Sequence, residues 1–592
     1  MRSLCRYSIR ILAGVLLSHG LLGLAHGQER SSQLRWDDAS KTWVRTAGNK
    51  PDAAAPAILP EAQPPAPAPV APPVIVAPMA PPAPPVVMEG APVAADPCAP
   101  AACPNPWLKV PVITPVPRPG IFIIPPDGCG YYSLLDVFTG TLRENRPKQP
   151  YGPTGPTIFS FFDADFRYLD DPNNKQQDFH DLIHRLHAGD NFVLATGGEF
   201  RFRYMNEVDS RLSGVNQQYD LLRTRVWGDL MFRDRFRLYA EFISANEYNN
   251  TLPPLAIDRN LADFLNLFLD VKIAEIACNP LEVRVGRQEL LYGSQRLISP
   301  LDWANTRRTF EGVKAFWHSE KWDLDGFWVK PVIINPFAVD NWSTTQNFWG
   351  AWATYKPKKG TAIDTYLLGF SNSAPVAGTG GNVGGIAFET FGMRAAGDHD
   401  GRFLYDFEGM VQAGVRANQN LVAGAFTTSA GYRAKNVPWT PTLWVADDWA
   451  SGNQHPGVAG ANYTTFQQLF PFGHYYFGYL DLVGRQNIND FNMQLSMCPA
   501  KWITTLMQWH NFELVSPKDA LYSAGGAVLR VNPAGTAGRF VGNELDFAAN
   551  FHLTAWQDLL VGWSRLYSGD FIRNTGNPMS PELVYVQYSL KW

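Results

Sequence analysis

Arginines set at every second position among carboxylates carry the clearest chemistry in this chain. "EFRFRY" alternates Glu199, Arg201 and Arg203 with Phe200, Phe202 and Tyr204. Arg223 and Arg225 repeat the spacing, Arg235 and Arg237 repeat it again, and Arg284 follows. Arg287, Arg296, Arg307 and Arg308 cluster just beyond. A guanidinium stays charged and holds a carboxylate with two parallel hydrogen bonds. Such a row can grip an acidic solute. It can equally tie into the interleaved Glu199, Asp229, Glu241, Asp406, Glu408, Glu544 and Asp546 as structural ion pairs, and both uses stay open at this point.

Other candidate chemistry is thinner. His180, His184 and His187 in "DFHDLIHRLH" would share one face of a short helix over Asp178 to His187. Without an acidic second shell they define no metal site, so neither metal nor cofactor is assigned. Cys98 and Cys103 are spaced to pair in an oxidising compartment. An enzyme needs an activated nucleophile with a base in reach. No Gly-x-Ser-x-Gly segment occurs, and His474, His510 and His552 have no diagnostic serine partner, so the chain reads as a non-enzyme. The net charge of −4 argues against nucleic acid as a partner.

The elements that would position the arginines are strands. The period of two recurs in "RFRLYAEF", "RFLYDFEGMVQ" and "ELDFAANF". Successive strand side chains point to opposite faces, so one face is apolar and aromatic and the other charged. Strands of a soluble sandwich average about five or six residues, whereas these runs are mostly about ten or more, enough to cross a bilayer at a tilt. Eighteen candidates run from 191–205 to 582–592, joined by connections that tend to alternate short and long. Ser319-Glu320, "PKKG" and "GDHDG" are short; 206–218, 248–262, 292–308, 450–487 and 514–540 are long. That alternation and the even count are the outer-membrane pattern. With 13% aromatic and only 18% charged residues, composition agrees. The expected fold is all-β, an eighteen-stranded antiparallel transmembrane β-barrel over 191–592 with both termini in the periplasm.

The upstream region divides by composition. Residues 1–27 read as a signal peptide, with Arg2, Arg6 and Arg10 before a short apolar run and small residues at Ala25 and Gly27. A short polar segment, 28–50, follows. Residues 51–126 are dominated by Pro, Ala and Val, so a disordered or polyproline II linker is expected there. Residues 127–190 form a periplasmic segment containing the short helix.

Six segments together, in order, closely resemble the alginate-export outer-membrane porin family. They are "GRQELLYGSQRLIS" from Gly286, "NTRRTFEGV" from Asn305, "ASG" at Ala450, "LFPFGHYYFGYLD" from Leu469, "NELDF" from Asn543 and "SGDF" from Ser568. The resemblance implies a monomeric eighteen-stranded barrel whose electropositive pore takes an acidic uronic-acid polysaccharide, with Arg287, Arg296, Arg307 and Arg308 at the pore or its mouth. The alginate exporter carries a long periplasmic plug between its sixteenth and seventeenth strands, where this chain has only "TAWQ"; Asn453 also stands where members often carry Asp. The expected function is an outer-membrane porin for anionic saccharides. A general anion-selective porin, or an envelope-anchoring barrel with a Pro-rich arm, are the alternatives. Expected partners are outer-membrane lipid, an anionic saccharide, and the barrel-assembly machinery through the last strand, "VYVQYSLKW", ending in Trp592. A periplasmic or cell-wall partner for the Pro-rich arm completes the set.

Overall fold

The computed structural model describes residues 33–37, 42–46, 160–170, 179–500, 502–554 and 556–592. The expected signal peptide and Pro-rich linker, Cys98, Cys103 and the His180 side chain lie outside the described residues. Within the short polar segment, Gln33–Asp37 and Thr42–Thr46 pair as an antiparallel hairpin with Trp36 opposite Trp43.

Eighteen antiparallel strands close into a barrel, as expected. They are β1 (Phe192–Ser210), β2 (Val215–Phe232), β3 (Phe236–Tyr248), β4 (Asn260–Ile276), β5 (Asn279–Gln288) and β6 (Phe310–His318). Next come β7 (Trp322–Ile333), β8 (Gln346–Tyr355), β9 (Ala362–Ala377), β10 (Val383–His399), β11 (Phe403–Arg416) and β12 (Gln419–Arg433). The last six are β13 (Thr442–Ala450), β14 (Ile488–Ala500), β15 (Ile503–Leu514), β16 (Phe540–Thr554), β17 (Gln557–Ser568) and β18 (Glu582–Lys591). Every candidate strand of the sequence reading corresponds to one of these.

Alternation sorts the faces as anticipated. Phe202, Phe242, Leu267, Val285, Trp328, Phe391, Phe407, Val411, Phe426, Met507 and Phe547 are exposed on the outer surface. Glu199, Arg201, Arg203, Arg223, Arg225, Asp406, Glu408, Glu544 and Asp546 are buried. An apolar belt of this extent is costly in water and matches a hydrocarbon environment.

Closure depends on two glycines. Trp592 and Gly198 exchange main-chain hydrogen bonds at 2.9 and 3.0 Å. A Cβ on Gly198 would lie 2.5 Å from the Trp592 ring, and one on Gly197 2.3 Å from the Trp592 carbonyl. The pair thus leaves a notch into which the final residue fits.

One end carries the short turns, including Ala277-Cys278, whose positive φ angles of 48° and 59° give the tight primed turn that suits strand twist. At the other end the expected long connection 206–218 is only 211–214, because β1 and β2 keep pairing beyond the barrel wall (Ser210 opposite Val215). β11 and β12 do the same and turn through Ala417-Asn418. Connections 289–309, 451–487 and 515–539 are long and fold inward. Their Leu290, Ile298, Trp303, Phe466, Phe472, Tyr476, Phe477 and Leu521 form one cluster with wall residues Phe310, Val329, Phe348, Trp352 and Tyr366.

The helix expected over 178–187 is shorter. A single 3-10 turn, Phe179–Ile183, gives way to Leu186–Ala188, which pairs with the start of β1. His184 and His187 therefore share no helical face. His184 is buried against Phe166 at 4.2 Å, while exposed His187 meets Asp170 at 2.9 Å. Among the described residues no group of His, Cys, Asp and Glu is arranged to hold a metal.

Candidate functional site: the charged lumen

The arginine column is built by β1 and β2, whose inward positions face each other across one ladder. Arg201 lies opposite Arg223, and Glu199 opposite Arg225. Burying cations side by side is costly unless carboxylates are supplied. Glu199 receives both Arg223, at 2.9 Å, and Arg225, at 3.2 Å. Arg225 also pairs with Glu241 at 2.6 Å, and Arg223 with Asp302 at 2.8 Å. Lower in the column Arg237 holds Asp229 at 2.7 Å, and Arg284 holds Asp270 at 2.7 Å. Arg235 leaves the column, lying exposed in the turn before β3.

Connection 289–309 crosses the lumen and carries its own cations. Arg296 reaches β11, pairing with Asp406 at 3.0 Å and Glu408 at 2.9 Å, beneath the Tyr476 ring. Arg307 pairs with Glu289 and Asp302. Burial opposes ionisation of Asp302, but Arg223, Arg307 and Arg201 outweigh it and hold the carboxyl well below the usual range. Burial alone pushes the Arg308 guanidinium down to about 10, so it stays charged at neutral pH.

Three guanidiniums differ from the rest. Arg201 donates to the carbonyls of Asp302 (2.6 Å), Trp303 (3.3 Å) and Ala304 (2.9 Å). Arg203 donates to the Trp303 carbonyl at 3.0 Å and Gln587 at 2.8 Å, with its guanidinium 3.5 Å over the Trp303 ring. Arg308 donates to the carbonyls of Ser299 and Pro471 at 3.3 and 3.2 Å. Among the described residues none of the three has a carboxylate within ion-pair distance.

Arg287 stands apart. The β5–β6 ladder runs unbroken through Gly286 opposite Gly312, and alternation puts Arg287 on the face opposite Arg284. It is held by the carbonyls of Phe264 and Asp340 at 3.0 and 2.9 Å, with Asp263 and Glu311 each at 3.4 Å.

Glu544 and Asp546 sit on β16, three strands round the wall from β1, and among the described residues neither pairs with an arginine. Glu544 accepts the Leu480 amide at 3.0 Å and Asp546 the Tyr479 amide at 3.4 Å, docking connection 451–487 against β16. Asp546 also lies 3.8 Å from His510. Asn453 is buried, and its main-chain N–H donates to the Asp519 carboxylate in a loop contact at 2.7 Å.

Sequence reasoning passed over Arg394, which bridges Asp364 and Asp406, and Arg485, which holds Asp448. Period-two alternation within β10 would have found Arg394. Nothing local marks Trp303, which stacks on His474 at 3.8 Å, with His474 in turn 4.7 Å from Tyr479. A groove of about 610 Å³ at the end of β1 to β3 away from the short turns, lined by Tyr204, Asn206, Gln218 and Asn249 among others, has no arginine in its wall and stands outside the column.

An apolar, aromatic outer belt, a closed even-stranded ladder and a charged interior together define a transmembrane β-barrel of the porin kind. The sequence profile of the family described as "Alginate export" matches residues 192–586, and the chain belongs to this family of outer-membrane barrels, which are channels rather than enzymes. Among solved structures it is similar to Pseudomonas aeruginosa OccK11 (OpdR), at 10% identity and a TM-score of 0.44, covering 69% of this chain and 98% of that one. P. aeruginosa OpdQ is similar at 10% identity and a TM-score of 0.45, covering 67% and 97%. No curated protein sequence matches the chain.

Proposed function

We propose that the barrel conducts acidic saccharides, uronate polymers or oligomers of the alginate type, through an arginine-lined lumen. The observation that carries this reading is the set Arg201, Arg203 and Arg308, two buried cations and one half-buried, whose donors end on backbone carbonyls or a neutral amide. A solute carboxylate replacing a carbonyl would set a full negative charge against a donor that is already ionised, and could be held by two parallel hydrogen bonds. The carbonyls belong largely to connection 289–309, which is not part of the wall. Withdrawing it would free the donors while leaving the ion pairs among Glu199, Arg225 and Glu241 in place. On this reading the conformation with connection 289–309 seated is the closed one.

Passage requires each site to hold the polymer weakly enough to release it. Arg223, Arg225, Arg237, Arg284, Arg296 and Arg307 set the sign of the lumen, and their carboxylate partners keep any single site from holding too tightly. The same reading places both barrel termini in the periplasm after removal of a signal peptide. The strand ending in Trp592 is then the element recognised by the assembly machinery, and the Pro-rich arm is free to meet a periplasmic or wall partner. No energy-coupling element enters the reading, so direction comes from a gradient or from partners.

The test is planar-bilayer conductance of the refolded barrel with added oligouronates. Anion selectivity and a concentration-dependent block are expected. Cation selectivity, or conductance indifferent to uronates, would overturn the reading.

A further inference from the structure

The segment preceding the barrel does not stop at its mouth. Phe161 and Phe162 are buried inside the short-turn end of the lumen. The Phe162 ring stands edge-on to Tyr239 and Phe268 at 5.7 and 5.4 Å, and Phe161 lies 6.1 Å from Trp227. Three column arginines hold the segment. Arg225 lies 4.1 Å over the Phe161 ring, Arg284 lies 4.7 Å from the Phe162 ring, and Arg237 donates to the Phe162 carbonyl at 2.7 Å. At the tip, Ser160 reaches Glu289 in the connection that enters from the other end.

The backbone of this segment takes no part in the sheet. Its main-chain bonds close on itself, from Asp163 to Ser160, Ala164 to Phe161 and Leu169 to Phe166. It can therefore leave without breaking a ladder bond of the barrel. Every strand of the wall, by contrast, is paired on both sides. What holds the segment is apolar burial, cation–π contact, a few side-chain hydrogen bonds and the pairing of Asp170 with Arg185 and His187.

We propose that residues 160–170 are a displaceable plug, so that the chain carries its own gate upstream of the first strand. When seated, the plug fills the short-turn mouth and masks Arg225, Arg237 and Arg284. When it leaves, it uncovers those arginines together with an aromatic floor of Trp227, Tyr239 and Phe268. The gate acts on any solute and does not rest on the saccharide reading.

The test places cysteines at Phe162→Cys and Tyr239→Cys in a full chain whose own cysteines are serine. A short bis-methanethiosulfonate reagent bridges the two, and a reductant releases them. Ionic conductance in simple potassium chloride is expected to fall to background when bridged and to recover on reduction. Phe161→Ala with Phe162→Ala, checked for folding by its heat-dependent shift on a detergent gel, is expected to conduct several-fold more than the parent. Equal conductance in the bridged, released and alanine forms would overturn the plug. Redox-dependent conductance that proves cation-selective would sink the anion reading and leave the plug standing.

Discussion

Ser160 donates a 2.8 Å hydrogen bond to Glu289, joining the segment that enters the lumen from one end to the connection that enters from the other. Glu289 is also the partner of Arg307, so one buried carboxylate ties plug, connection and column together. Ser160→Ala removes the joint while leaving Glu289 its arginine. A hydrogen bond to a charged group is worth about 1.5–3 kcal/mol, and the expected result is roughly ten-fold or greater faster amide exchange across residues 160–166, with the strands unchanged. Unaltered exchange there would show that the joint carries no weight.

Arg296 spans the lumen to Asp406 and Glu408. Arg296→Met strands buried carboxylate charge and should cost about 3–5 kcal/mol, read as a lower unfolding temperature in detergent. Adding Glu408→Gln to that variant removes part of the stranded charge and should restore some of the loss. A double variant no more stable than the single one would count against the pair.

Arg201 and Arg203 should behave differently from Arg223 and Arg225. Replacing either of the first two with Gln removes a cation held by neutral acceptors. Oligouronate block should weaken by about ten-fold each, equivalent to about 1.4 kcal/mol, with the heat shift on gels retained. Arg225→Gln strands Glu241, leaves Glu199 with Arg223 alone, and should destabilise the fold as well. Equal loss of stability at all of these positions would erase the distinction.

Asp163 of the plug has its carboxyl pushed up to about 6 by burial, with Arg284, Lys314 and Arg237 pulling it down and Glu289 pushing it further up. A carboxyl raised in the seated state favours seating while it is protonated. Seating is therefore tightest below about pH 4, weakens as pH rises toward about 6, and is constant above that. The shift from 3.8 to about 6 corresponds to on the order of 2–3 kcal/mol. Amide exchange of 160–170 at pH 5 and pH 7, corrected for intrinsic rates, should show more protection at the lower pH. Asp163→Asn should remove the difference.

Gly198→Val would drive a side chain into the Trp592 ring and the Arg225 carbonyl, each 2.5 Å from a Cβ at that position. The seam between β1 and β18 should fail to close. Loss of the heat-dependent gel shift is the expected outcome, whereas Gly228→Ala, where a Cβ meets nothing within 4 Å, should assemble normally.

The eighteen strands, their facing and the family could be read from the chain alone, because strand alternation is local: a residue two places along points the same way whatever the rest of the molecule does. "EFRFRY" declares its inward arginines and outward aromatics without tertiary help, and the Gly286 and Asn305 segments carry the family. What became of those arginines was not local. Arg201 meets carbonyls a hundred residues away, Arg296 pairs across the lumen, and Arg287 falls on the other face because the ladder at Gly286 is regular rather than bulged. The same limit applies to Phe161 and Phe162. Their sequence neighbourhood has no periodicity to mark a buried element, and only the closed barrel, with Trp227, Tyr239 and Phe268 around one mouth, provides the surface that buries them. Alternation along a strand determined which side chains enter the lumen; packing among distant segments decided which charges there are neutralised, and what fills the space between them.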